Sequence, residues 1–292
     1  MKSKKCFIRF PGALCLTLVC LVLSVWLLFT PNSFAGEAKK DVVEISQKDV
    51  PLVITSPGSY RLISNLTVSS QNVTAISIGA HNVTIDLNGF TISGPGKGVP
   101  GFGIANKFQL PGTFDNVVVG GGTVRNIGFG IHLAGNNNRV ENVRVFETGG
   151  GIYVGSSGVI SQCQVAFCTV GVDTIDGSMI LNNTIYSNDF IGIVSSAGGP
   201  NPGGVTVMGN NVRLTLTGIK VNKGQFNEQV NRGNRIEGNT ITQCGTGIDL
   251  SEGYANYFAK NLLQGNGMPF LGAENNIDGG FIDPALSNII LP

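Results

Sequence analysis

A two-residue phrase, glycine followed by isoleucine or valine, recurs at Gly103-Ile104, Gly130-Ile131, Gly151-Ile152, Gly171-Val172, Gly192-Ile193, Gly218-Ile219 and Gly247-Ile248. The gaps are 27, 21, 20, 21, 26 and 29 residues. A period of that length marks a solenoid, in which each repeat buries its apolar side against the next winding and none folds alone. Glycine is 42 of the 292 residues, about twice the usual share of ~7%. Asparagine is also abundant. Both tolerate the left-handed backbone of tight corners. The apolar residues between corners alternate, which is a strand period and not a helical one.

One frame fits the repeats. In Arg235–Leu250 a first strand ends at Asn239, a second covers Thr240 to Gln243, and a third begins at Gly247. Coils around Val140, Ile160, Ile180, Val207 and Phe258 follow the same frame, and an earlier one runs Ile85-Asp86-Leu87-Asn88-Gly89-Phe90. This alignment puts Asn88, Asn183, Asn210, Asn239 and Asn261 at one corner. Stacked amides in register predict a ladder of mutual hydrogen bonds.

Three short strands per turn, an asparagine corner and a Gly-Ile/Val-x-apolar strand resemble the right-handed parallel β-helix repeat proteins of the pectate-lyase-like superfamily. The resemblance covers about Asn72 to Gly265. It implies an all-β solenoid of about eight to nine coils, with an N-terminal cap over residues 36–71, the helix proper over 72–265 and a C-terminal cap over 266–292. It implies no single activity, because the superfamily holds lyases, hydrolases, epimerases, adhesins, tailspikes and periplasmic accessory proteins. The Asn-Thr-Asp, Asp-Asp and Gly-His-Gly motifs of polygalacturonases are absent, as is the Asp-Pro-His-Asp of alginate epimerases. No aspartate cluster like that of calcium-dependent pectate lyases falls on one face.

Residues 1–35 read as a signal peptide: Lys2, Lys4, Lys5 and Arg9, an apolar run from Ala13 to Phe29, and Ser33-Phe34-Ala35 before the cleavage point. Retention as an anchor helix is the alternative. Cleavage implies a secreted or periplasmic protein with no membrane span. It leaves fifteen basic residues against eighteen acids, a net charge of −3. No basic stripe remains, so nucleic acid is not an expected partner. Cys163, Cys168 and Cys244 stay behind. An odd count rules out full internal pairing, Cys168 and Cys244 are three coils apart, and Cys163 and Cys168 share one coil and could pair only if their side chains face each other; the favoured reading is small buried residues.

Side chains alternate along a strand, so the residue after each inward Ile or Val points outward. Read up the stack, that column is Ser77, Ala105, His132, Tyr153, Asp173, Val194, Lys220 and Asp249, with neighbours about 4.8 Å apart. His132, Tyr153 and Asp173 are consecutive rungs. Long turns at 94–100, 106–116, 195–204 and 222–234 flank the same strand, and such loops on a rigid stack are usual places for a cleft. The chemistry this column predicts is proton abstraction beside a uronate carboxyl, with His132 or Tyr153 as base and Lys220 or Arg125 offsetting charge. Lys220, Asp249 and Arg125 are thus candidate substrate-binding residues. Hydrolysis by Asp173 and a second carboxylate ranks lower, because Asp249 is three rungs away.

His81 and His132 lie in different coils and no cysteine/histidine spacing fits zinc. The sequence therefore predicts no metal and no cofactor, and a calcium ion at Asp115 or Asp189 has no motif behind it. Two readings follow. One is a protein that binds, and in the stronger form cleaves by elimination, an acidic or neutral polysaccharide. The other is a non-enzymatic surface or periplasmic scaffold. The residues leave open whether there is a reaction at all.

Overall fold

A computed structural model describes residues 42–106, 113–198, 202–223, 230–282 and 287–292, all within the unit Val42–Pro292. The segment read as a signal peptide, 1–35, lies outside the described residues, as do parts of three of the long turns.

Each winding contributes up to three short strands, and every pairing between windings is parallel. Parallel pairing of consecutive windings follows from the period, since each return of the chain must run in the same direction as the last. The protein is a right-handed parallel β-helix. Its first face is an eleven-stranded sheet running from Val43–Ile45 to Ile277–Asp278. Eight of those strands lie within 72–265, and Val43–Ile45, Gly58–Leu62 and Ile277–Asp278, in the segments read as caps, are further rungs of the same sheet.

Three columns of apolar side chains fill the interior. Ile85, Val119, Val140, Ile160, Ile180, Val207 and Ile236 stack in register on the first face. Ile92, Val124, Val145, Val165, Ile185, Val212 and Ile241 stack on the second. Ile76, Ile104, Ile131, Ile152, Val172, Ile193, Ile219 and Ile248 stack on the third. All are essentially inaccessible. β-branched residues suit this role, because their stiff χ1 packs well on a pleated surface. Each buried side chain contributes about 1.5–3 kcal/mol by removal from water.

The geometry also explains the glycine of the repeated phrase. A Cβ on Gly103 or Gly130 would sit 2.6 Å from the carbonyl oxygen of the equivalent glycine one winding up; for Gly171 and Gly192 the distances are 2.5 and 2.7 Å. The windings touch backbone to backbone along this line, and any side chain would force them apart.

At the asparagine corner, Asn183, Asn210, Asn239 and Asn261 are fully buried. Asn183 Nδ2 donates to Asn210 Oδ1 at 3.0 Å, Asn210 to Asn239 at 3.0 Å, Asn239 to Asn261 at 3.0 Å, and Asn261 to Asn288 at 2.9 Å. Each Oδ1 also accepts the backbone N–H of the asparagine below it. The left-handed residue is the one before the ladder position: Asn182, Gly209, Gly238 and Lys260 have positive φ. Asn88 stands outside the ladder. Six residues separate the buried Ile85 and Ile92, where four separate Ile180 and Ile185. The two extra residues form a Leu87–Phe90 turn closed by Phe90 N–H to Leu87 O at 2.8 Å, which pushes Asn88 into solvent with φ of 50°. Its amide reaches only Leu62 O. A second ladder joins the buried Asn234 and Asn256 to the half-buried Asn276 at another corner.

Cys163, Cys168 and Cys244 are buried free thiols. Burial pushes the Cys163 thiol up to about 11 and the Cys168 thiol upward as well.

Candidate functional site

The outward column of the third face runs in unbroken register from Ser77 through Ala105, His132, Tyr153, Asp173, Val194 and Lys220 to Asp249. Strand pairing alone therefore brings His132, Tyr153 and Asp173 onto three adjacent rungs. Ala105 below and Val194 above are buried, so the polar rungs are bounded by apolar ones.

The three are half-buried, because this face is folded into a groove of about 620 Å³. Its lining includes Phe129, His132, Gly149–Gly151, Tyr153, Thr169, Val170 and Asp173. The strand Thr123–Leu133 bends at Asn126, a left-handed residue with φ of 55°, and carries Phe129 and His132 beyond the bend. One winding up, Gly150 pairs with Phe129. A Cβ at Gly150 would collide with the Phe129 ring, so the glycines form the floor over which that ring lies. The turn 94–100 folds against Gly128, with Val99 O close to where a Cβ would stand, and reaches Asp189 through Lys97 Nζ at 2.6 Å. It forms the lip beside Gly149.

The rings form a continuous stack. Phe102 lies against Phe129 with centroids 5.0 Å apart, Phe102 meets His132 edge-on at 5.8 Å, and His132 stacks on Tyr153 at 4.4 Å and 25°. Such pairs contribute about 0.5–1.5 kcal/mol beyond their burial. Phe102 and Phe129 were not singled out from the sequence. The signal was present, since each directly precedes the glycine of the repeated phrase.

The protonation states follow from burial. Desolvation lowers the His132 pKa, so its imidazole is neutral at neutral pH. Burial, then the negative charges of Asp173 and Asp176, push the Tyr153 hydroxyl up to about 12, making it a donor and a poor base. Burial raises Asp173 to about 6, against the pull of the Ser196 hydroxyl, which donates to its Oδ1 at 3.0 Å.

The remaining candidates are not brought to this trio. Lys220 is two rungs above Asp173 and pairs with Glu252 at 3.0 Å and Asp249 at 3.8 Å. Asp249 is buried and accepts from the Ser251 hydroxyl. Arg125 precedes the bend at Asn126; it aligns with Ser93 and Phe146 on the second face and is exposed. Among the described residues, no three His, Cys, Asp or Glu side chains converge on one point, and no helix is long and apolar enough to cross a membrane.

A family model described as periplasmic copper-binding protein (NosD) matches residues 81–278. Among solved structures, the A-module of the mannuronan C-5 epimerase AlgE6 from Azotobacter vinelandii is similar at 13% identity, covering 87% of this chain and 89% of that chain with a TM-score of 0.41. No curated protein matches.

Proposed function

The chain belongs to the NosD family of periplasmic proteins, and from that premise we propose that it is a periplasmic β-helix protein whose third-face groove binds a polysaccharide chain. The observation that supports this is the stacked His132–Tyr153 pair beside Asp173 and Phe129 in one open groove. Aromatic faces pack on sugar rings, and a carboxylate and a phenol supply the few polar contacts that orient a ligand in such a site.

Binding is favoured over elimination. Proton abstraction beside a carboxyl needs a cation for the developing charge. Lys220 is held by Glu252 and Asp249, and Arg125 is on another face. Tyr153, protonated at any ordinary pH, is not the base.

The family's description names copper. Copper draws on imidazole, thiolate and thioether ligands. Here His81 packs edge-on against Phe114 and accepts the Asp115 N–H, whereas His132 stacks in the groove. The three cysteines are buried, and Cys163 and Cys168 are held as thiols. Among the described residues these histidines and cysteines do not converge on one point, so they do not form a copper centre.

The test is a glycan array probed with the mature protein, with absorbance of unsaturated products followed in parallel. Retention of oligosaccharides without product formation is expected, with Tyr153→Ala weakening retention about two- to tenfold through loss of one stacking platform. An array with no retained glycan, or retention indifferent to Tyr153→Ala in a variant of unchanged circular dichroism, rejects the reading.

A further inference from the structure

The charge of the groove is one-sided. Asp173 is the only acidic or basic side chain among its lining residues apart from the neutral His132. Asp176 is near enough to act on Tyr153 and adds a second negative charge. Among the described residues the lysines near the groove are paired: Lys97 at the lip is 2.6 Å from Asp189, and Lys220 lies two rungs beyond, between Glu252 and Asp249.

A uronate lying here would bring a carboxylate next to Asp173 with no unpaired cation among the described lining residues to offset it, and a buried unpaired charge is costly. An amine meets the opposite situation. His132 covers one face of the Tyr153 ring, and Asp173 is the next rung on the opposite side. The Phe129 ring, 45% exposed, borders the same space. A carboxylate with aromatic faces beside it is a site for a desolvated ammonium group.

We infer that the groove takes a glycan of amine-bearing, glucosamine-type sugars, with an ammonium group between the Asp173 carboxylate and the Tyr153 and Phe129 rings. This rests on the reading of the groove as a polysaccharide site and replaces the acidic or neutral polysaccharides expected from sequence with cationic ones.

The experiment is calorimetric titration of the mature protein with three oligomers of equal length: glucosamine, N-acetylglucosamine and galacturonate. Acetylation removes the charge and keeps the ring, so the wild-type protein tests the inference without any variant. Free-amine oligomers should bind about tenfold or more tightly than acetylated ones, as a charge-assisted contact implies, and galacturonate should bind weakest. Asp173→Asn should bring the first two affinities together. Equal affinity for the free-amine and acetylated oligomers, or a preference for galacturonate, overturns the inference while the polysaccharide reading stands. An amine preference that survives Asp173→Asn also overturns it, because the contact would then lie elsewhere. If none of the three binds, the inference falls, and the glycan array decides separately whether the polysaccharide reading stands.

Discussion

Asp173 holds a carboxyl that burial has moved to about 6 from the ordinary 3.8. A raised folded-state value means the fold favours the protonated form. That contribution is complete below the unfolded pKa and is lost as pH rises through about 6. Asp173→Asn keeps the shape without the charge. Its stability advantage over wild type should therefore grow between about pH 4 and pH 7 and level off above, reaching on the order of 2–3 kcal/mol. Urea unfolding at a series of pH values measures this, and a difference that does not change with pH contradicts it. At this scale the column of His132, Tyr153 and Asp173 was legible, because parallel strands align residue for residue. The enclosure of the column was not, since it depends on Phe129 lying over Gly150 and on the 94–100 turn. Nor was the loss of Arg125 to another face. Thr123–Leu133 is one uninterrupted strand that bends at Asn126, and alternation gives no sign of a bend within a strand.

The asparagine corner is an element in its own right, and its members differ sharply in worth. Asn210 Nδ2 donates to Ile180 O at 2.9 Å and to Asn239, while its Oδ1 accepts two bonds from Asn183. Truncation strands all of these partners where water cannot reach. Asn210→Ala should cost about 2–4 kcal/mol, whereas Asn88→Ala, at an exposed turn, should cost under about 1 kcal/mol. Comparing their urea midpoints at one pH decides whether register in the stack, and not residue type, sets the cost. The ladder from Asn183 to Asn261 can be read from spacing alone. Asn88 misleads, because a local alignment of six residues cannot see the two extra residues before Ile92. The ladder at Asn234 and Asn256 is not legible in the sequence for a different reason: lower on that corner its column passes through Val205, Ser178 and Gly158, so no single residue type marks it.

At the scale of the molecule the winding is the unit of length. Asn239 and Asn261 are 22 residues apart and occupy equivalent positions, each preceded by a left-handed residue, Gly238 or Lys260. Removing residues 239–260 would hand Asn210 a new partner in Asn261 with every column intact. Such a variant should keep the β-sheet circular dichroism and unfold cooperatively at a modestly lower midpoint. Removing one residue fewer would turn inward side chains outward and should abolish folding. Soluble expression and the two spectra distinguish these outcomes. The seam of glycines at 103, 130, 151, 171, 192, 218 and 247 has a further effect on what the protein can accommodate. Backbone already presses on backbone along it, so neighbouring turns have no slack to part or slide for a bulky guest. The molecule meets whatever it holds as a fixed template, and the bending required for a fit must come from the guest.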